Sequence, residues 1–178
     1  EEKLQEVVKY FKDLRCDKLV IPCKVCKTKA ELDKLIDYIN TWLPRLRENG
    51  ITLVYHNHSQ EFMLNEEDLF MQVELLRRTN IRFEVDVFWC HFAGVNPIYV
   101  LETLKDRVDL IHFRDGLATR EKQNFRLLGK GTTPLKDVYN WAIKNGYDLI
   151  VENLPTEEAE SELADAAECV DYLNNLGK

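Results

Sequence analysis

Residues 108–115 have the sequence VDLIHFRD, in which a short apolar run is followed at once by residues able to bind a metal ion or a proton. Three other segments end in the same way: VYHNH at residues 54–58, EVD at residues 84–86 and IVEN at residues 150–153. In parallel α/β proteins the carboxyl ends of the strands open on one face, where active sites lie. Period-two alternation turns the apolar neighbours toward the helices and these polar residues inward. The four endings therefore predict one polar site.

Helical and strand patterns alternate along the chain, which predicts βαβ units and a parallel sheet. Thr28 followed by Glu31 is a capping-box signature that opens one of the helices. The predicted strands are residues 18–21, 51–55, 82–86, 108–113 and 149–151. The predicted helices are residues 4–14, 28–48, 66–78, 97–104, 134–145 and 156–173.

Two architectures satisfy this alternation. One is a five-stranded doubly wound sheet, for which 178 residues is a suitable length. The other is a TIM (β/α)8-type barrel that lacks about three βα units, because a complete barrel has about 250 residues. Periodicity alone favours the first, whereas the polar strand ends favour the second. A doubly wound binding domain would also place a ligand at a glycine-rich first loop, and the sequence has no such loop.

Composition limits the class of function. With 45% hydrophobic residues and no linker or low-complexity stretch, residues 1–178 are expected to form a single domain. A net charge of -7 argues against a nucleic-acid partner. The sequence contains neither an apolar run of membrane-spanning length nor a signal peptide, so a cytoplasmic protein without a membrane partner is expected. The chain begins without Met in a helical pattern, which suggests that upstream sequence is missing.

Five cysteines cannot all pair within one chain, and a reducing compartment fits best. Cys23 and Cys26 form a lone C-x-x-C without the second pair that a zinc knuckle requires. Ordinary loop cysteines are therefore the preferred interpretation of this pair. The other three lie in apolar contexts and are expected to be small core residues: Cys16, Cys90 and Cys169.

The polar strand ends supply two imidazoles and two carboxylates, a mixed N/O set suited to one divalent ion. Each residue alone has an ordinary interpretation as a helix N-cap or turn residue, and only their joint occurrence favours metal binding. Glu152 is the least ordinary, because a buried carboxylate after three apolar residues needs a cation or strong donors. The candidate ligands are His56, Asp86, His112 and Glu152.

At these residues the chain resembles the xylose-isomerase-like superfamily of sugar phosphate isomerases and epimerases. The resemblance covers nearly the whole chain and implies a TIM barrel of which strands four to eight are present, making the domain N-terminally incomplete. It also implies one catalytic divalent metal, with Mn²⁺ expected first and Mg²⁺, Zn²⁺, Co²⁺ or Fe²⁺ as alternatives. The matching stretches are YHNHSQEF at 55–62, FEVDVFW at 83–89, AGVNP at 93–97, LIHFRD at 110–115, GKG at 129–131 and IVEN at 150–153.

The resemblance also implies residue roles. Asp86, His112 and Glu152 match three of the family's four metal-ligand positions, and His56 stands at the fourth, where Glu is usual, as in an H-N-H subgroup. That departure puts a mechanism with two opposed glutamates in doubt. Glu152 is then the expected general base, and the candidates for its acid/base partner are His58 and Glu61. The residues expected to bind substrate are Asn57, Trp89, Arg114, Asp115 and Lys130.

The expected reaction is isomerisation or epimerisation of a small sugar, sugar phosphate or keto-sugar. It would begin with proton abstraction next to a carbonyl and pass through a metal-bound enediolate. Dehydration or cleavage would share that first step. One alternative is a non-catalytic or truncated carbohydrate-binding relative. A less favoured one is an endonuclease IV-like enzyme, because a zinc cluster would need more ligands than the four histidines help to supply and the chain is acidic. A homo-oligomer is compatible with all of these.

Overall fold

The computed structural model describes residues 2–119, 122–152 and 161–177. Helices and strands alternate along this part of the chain, with short 3₁₀ turns at Gln60–Phe62 and Lys105–Arg107. The helices are α1 (Glu2–Asp13), α2 (Lys29–Glu48), α3 (Met71–Arg78), α4 (Val87–Phe92), α5 (Pro97–Leu104), α6 (Leu135–Asn145) and α7 (Glu162–Leu176). The strands are β1 (Lys18–Ile21), β2 (Thr52–His56), β3 (Arg82–Asp86), β4 (Val108–Phe113), β5 (Asp115–Thr119), β6 (Lys122–Arg126) and β7 (Leu149–Val151).

One sheet contains five strands in the order β1-β2-β3-β4-β7, and β5 and β6 form a separate two-stranded sheet. The pairs β1/β2, β2/β3 and β4/β7 are parallel. Strand order in the large sheet follows chain order, as it does in a TIM barrel; in a doubly wound sheet the order reverses partway. The structure is thus a half-barrel of five strands, which confirms the predicted fold class.

The chain divides into two compact units, residues 1–84 and residues 85–178. In the first unit α2 packs on β2, and its core contains Leu4, Val8, Leu32, Ile36, Ile39, Val54, Leu75 and Phe83. In the second unit α4 packs against β4 and β5, and its core contains Val85, Phe88, Leu101, Ile111, Phe113, Leu135, Val138 and Ala142. Among the described residues, every helix is too short or too polar to cross a lipid bilayer. A single domain across both units stays a prediction.

Four of the five predicted barrel strands have the predicted bounds, and β2 is shifted by one residue. Two elements were missed: α4, and the antiparallel hairpin of β5 and β6. Asp115 begins β5 opposite Arg126, so residues 115–116 belong to this hairpin.

The helix predicted from residue 66 begins only at Met71. The reason is local: the Asn65 side-chain oxygen accepts hydrogen bonds from the backbone N–H groups of Glu67 and Leu69 and so stabilises a turn. The last helix was predicted from residue 156, and its described part starts at Glu162, after the N-cap Ser161. Residues 156–160 of that prediction lie outside the described residues.

The capping box at the start of α2 is present, as predicted. Thr28 Oγ1 accepts from the Glu31 N–H at 3.3 Å, and Glu31 Oε2 accepts from the Thr28 N–H at 3.2 Å. Replacing Thr28→Ala removes one of these bonds, and we expect the free energy of unfolding to fall by about 1 kcal/mol. Urea unfolding measures this, with Lys34→Ala on the exposed face of the same helix as the control. Equal stability of the two variants would show that the cap contributes nothing.

Candidate metal centre

The second unit brings together three side chains from three strand ends. Asp86 is the last residue of β3, His112 is the penultimate residue of β4, and Glu152 directly follows β7. Each offers one possible ligand atom, and these atoms lie within 4.8 Å of one another. Asp86 is fully buried, whereas His112 and Glu152 are partly exposed. An ion between them would meet one imidazole nitrogen and two carboxylate oxygens, a donor set that suits a divalent metal.

His112 and Glu152 already stand at a spacing that suits two ligands of one ion. His112 Nδ1 lies 2.7 Å from Glu152 Oε2. An imidazole nitrogen and a carboxylate oxygen are both metal-ligand atoms, so this pair would hold an ion together with Asp86.

Asp86 divides its two carboxylate oxygens between the backbone and the site. Oδ1 accepts from the Trp89 backbone N–H at 3.0 Å and so caps α4. Oδ2 lies 3.4 Å from Nη1 of Arg114. The cap holds the side chain in one orientation because α4 begins directly at the end of β3, and this orientation leaves Oδ2 as the atom that faces the other polar groups.

Arg114 provides a buried positive charge between the two carboxylates. Its side chain is only 5% exposed; Nη1 pairs with Asp86 and Nη2 pairs with Glu152 Oε1. The guanidinium carbon lies 4.8 Å from the centre of the Phe125 ring, a cation–π contact. With a neutral His112, the Asp86, Glu152 and Arg114 charges sum to one negative charge, which favours a further cation.

Aromatic residues form a wall beside this cluster. Phe125 of β6 lies 5.2 Å from Phe88 and 5.7 Å from Trp89, measured between ring centres. Phe92 continues the group, 5.5 Å from Trp89. The β5–β6 hairpin therefore places an apolar surface over the guanidinium of Arg114. Trp89, a predicted substrate contact, is 4% exposed and belongs to this wall.

Asp115 has its carboxylate oxygens occupied by the backbone. Oδ1 accepts from the N–H groups of Gly116 at 2.8 Å and Thr133 at 3.1 Å, and Oδ2 accepts from Gly129 and Gly131, both at 2.9 Å. A Cβ on Gly131 would lie 2.2 Å from Asp115 Oδ1, so only glycine fits this position. Asp115, predicted to bind substrate, holds the 129–133 loop to the base of the hairpin.

Two other polar residues of this unit make contacts away from the three ligands. Lys130, a predicted substrate contact, is exposed and pairs with Glu168 of α7 at 3.0 Å. The Nε2 atom of His91 lies 3.1 Å from Thr132 Oγ1.

In the first unit, His56 ends β2 and pairs with a carboxylate that sequence reasoning overlooked. Its Nδ1 lies 2.9 Å from Glu84 Oε2, and both side chains are buried. A carboxylate on one ring nitrogen is the usual way to direct the other nitrogen toward a metal. The sequence could have indicated Glu84 as a site residue, because it precedes Asp86 by two residues and so lies on the same face of β3.

Glu61 is fully buried in the loop after β2, and both of its oxygens accept hydrogen bonds. Tyr55 donates to Oε1 and the His58 backbone N–H donates to Oε2, each at 2.8 Å. The Tyr55 hydroxyl also accepts from the Lys24 N–H at 3.0 Å, which ties the loop to the segment after β1. The His58 ring packs edge-on against His56, and Asn57 between them is buried. Glu61 thus fixes the backbone of the H-N-H segment.

Comparisons with known proteins agree with this architecture. Residues 2–176 match the sequence profile of the family described as xylose isomerase-like TIM barrel. The chain is 27% identical over 116 residues to inosose dehydratase of Geobacillus kaustophilus (strain HTA426), a match that covers 60% of this chain and 38% of that protein. The chain therefore belongs to the xylose isomerase-like TIM barrel family.

Solved structures show the same fold. A sugar phosphate isomerase/epimerase from Parabacteroides distasonis ATCC 8503 has a TM-score of 0.81 and 21% identity, covering 96% of this chain and 63% of that one. A xylose isomerase-like TIM barrel protein from Mycobacterium smegmatis, solved in complex with magnesium, has a TM-score of 0.67 and 11% identity, covering 97% of this chain and 65% of that one. The chain thus spans less than two thirds of the length of these relatives.

Burial raises the pKa of Glu61 above its ordinary value of 4.5, and hydrogen bonds from Tyr55 and His58 offset only part of this effect. Between 4.5 and the raised value the native state binds more protons than the unfolded state, so stability falls as the pH rises. Glu61→Gln cannot lose this proton. We therefore expect the variant to gain stability relative to the wild type as the pH rises from about 4.5 toward neutrality. Urea unfolding of both proteins across this range measures the difference, and a pH-independent difference would contradict the raised pKa.

Proposed function

We propose that this chain carries the metal-binding and proton-transfer groups of a sugar isomerase or epimerase. The observation that carries the proposal is the cluster of Asp86, His112 and Glu152 at the ends of three strands of a xylose isomerase-like half-barrel. The relatives named above are an inosose dehydratase and a sugar phosphate isomerase/epimerase. A small sugar, sugar phosphate or keto-sugar is the substrate class we infer.

The donor set supports a single divalent ion held by Asp86, His112 and Glu152. We propose His56 as the fourth ligand, because its strand pairs with β3 and it stands opposite Glu84, two residues before Asp86. The Glu84 carboxylate on His56 Nδ1 makes Nε2 the proposed ligand atom. Mn²⁺ is the metal we propose first, and the magnesium in the Mycobacterium smegmatis relative keeps Mg²⁺ as the nearest alternative.

When bound, the ion would polarise the carbonyl and adjacent hydroxyl oxygens of the substrate as a Lewis acid. Glu152 is the proposed general base, removing the proton from the carbon next to the carbonyl. Arg114 pairs with Glu152 Oε1 and orients that carboxylate. The wall that includes Trp89 and Phe125 excludes water and offers an apolar face to the sugar.

We assign His58 as the acid/base partner that returns a proton, with Asn57 a proposed substrate contact beside it. Glu61 is proposed to support His58, because both of its oxygens are occupied by hydrogen bonds within the loop. Asp115 is likewise assigned to loop support. Lys130 stays a proposed contact for a substrate phosphate, which would have to compete with Glu168 for its ammonium group.

Metal binding is tested directly. Titration calorimetry with Mn²⁺ should give about one ion per chain, and His112→Ala or Glu152→Gln should weaken binding roughly a hundredfold, because each removes a ligand. His91→Ala is the matched control, since His91 lies in the same unit and contacts Thr132. Wild-type protein that binds no divalent ion would refute the metal site.

Proton abstraction is tested separately from turnover. Incubating the chain with Mn²⁺ and a ketohexose or an inosose in deuterated water should exchange the proton next to the carbonyl, as followed by NMR. Glu152→Gln should slow this exchange by about a hundredfold or more, because it removes the base. Glu168→Gln, which loses only the exposed pair with Lys130, should exchange at the wild-type rate. Metal binding without exchange for any sugar tested would instead favour a non-catalytic carbohydrate-binding relative.

A further inference from the structure

We propose that Arg114 is a counter-cation built into the site. It balances the negative charges of Asp86 and Glu152 when no metal is bound, and its positive charge weakens the binding of a metal ion. The inference rests on the proposed function, since it assumes that these carboxylates are metal ligands. It concerns the affinity of the site for its ion and the stability of the metal-free protein. Both are proposed to depend on Arg114 as well as on the ligands.

The first support is the geometry of the guanidinium. Its two terminal nitrogens are divided between two carboxylates from different strands, Nη1 to Asp86 Oδ2 and Nη2 to Glu152 Oε1. A planar fork can contact both at once, whereas a lysine ammonium is a point charge on a single stem. The arginine therefore bridges the two acidic groups.

The second support is burial. Arg114 and Asp86 are 5% and 0% exposed, so neither charge is balanced by water. A buried carboxylate that loses its partner becomes strongly destabilising. The guanidinium lies over the Phe125 ring, and its two terminal nitrogens pair with Asp86 and Glu152, so the arginine is held in place by these contacts. The positive charge of Arg114 is therefore a fixed structural feature of the site.

The sign of the effect on the metal follows from comparing two contributions. Arg114 orients two ligands, and such orienting partners typically change metal affinity by about tenfold to a hundredfold. It also places a full positive charge one carboxylate away from a dication in a buried site, where the low dielectric strengthens repulsion, and we infer that this repulsion outweighs the benefit. Loss of the arginine charge should therefore tighten metal binding while it destabilises the metal-free protein.

The first measurement is thermal unfolding in EDTA. Arg114→Met keeps an aliphatic side chain on Phe125 and removes the charge, and we expect a melting temperature lower by about 5 °C or more. The same change in a Glu152→Gln background should lower the melting temperature by clearly less, because one of the two carboxylates is already replaced by a neutral amide. An equal loss in both backgrounds, or no loss in either, would overturn the counter-cation role.

The second measurement is Mn²⁺ calorimetry at about pH 8, where proton competition for the carboxylates is small. Arg114→Met should bind Mn²⁺ roughly tenfold more tightly than the wild type. Arg114→Lys keeps the charge but loses the fork, so its affinity should stay within about threefold of the wild type. Weaker Mn²⁺ binding by Arg114→Met would overturn the proposal.

Two further outcomes are informative. If Arg114→Met is unfolded in EDTA, refolding by Mn²⁺ or by the Glu152→Gln background supports the proposal, and failure of both overturns it. If the wild type binds no Mn²⁺ while Arg114→Met still loses less stability in the Glu152→Gln background, the proposed metal function fails and the counter-cation role stands. The two ideas can therefore fail separately.

Discussion

The second unit is organised around one electrostatic constraint: carboxylates removed from water must face a positive charge or hydrogen-bond donors. Asp86 is fully buried and Glu152 is partly so, at strand ends that the parallel sheet brings to the same edge. Because the cost of an unpaired buried charge is large, the surroundings are arranged to avoid it. The Trp89 N–H at the start of α4 donates to one oxygen of Asp86, and Arg114 pairs with the other. Arg114 and His112 contact the two oxygens of Glu152.

The acidic residues of the chain show that a carboxylate takes its role from what occupies its oxygens. Asp115 receives backbone N–H groups on both oxygens and supports a loop. Glu61 receives a phenol and a backbone N–H and also supports a loop. Glu152, in contrast, faces a cation on one oxygen and an imidazole on the other. These two contacts are with a charged and a basic side chain rather than with backbone N–H groups, and they are the reason for proposing Glu152 as a base and metal ligand.

The sequence predicted the barrel strands and the polar residues at their ends because both depend on a strong, local signal. Residues 82–86 and 108–113 are apolar runs with polar ends, and both strands have the predicted bounds. The β5–β6 hairpin has no such signal, because its pairing joins Asp115 to Arg126 across a polar stretch. The helix α4 is apolar at nearly every position, so it lacks the period by which helices are recognised. The occupied oxygens of Glu61 could not be predicted, since residue type does not specify the donors.

Two histidine–carboxylate pairs are seen within residues 2–119, 122–152 and 161–177, and their differences explain why we propose different roles for them. His56 Nδ1 meets Glu84 at 2.9 Å and His112 Nδ1 meets Glu152 at 2.7 Å, so the contacts themselves are alike. Glu84 lies within β3, beside the histidine and buried with it, which suits a partner that fixes the ring. Glu152 lies just beyond the end of β7, is partly exposed and also touches Arg114, which suits a ligand that an incoming ion can reach. Position along the strand, rather than the pair itself, is therefore what distinguishes the carboxylate proposed to orient a ligand from the one proposed to bind the metal.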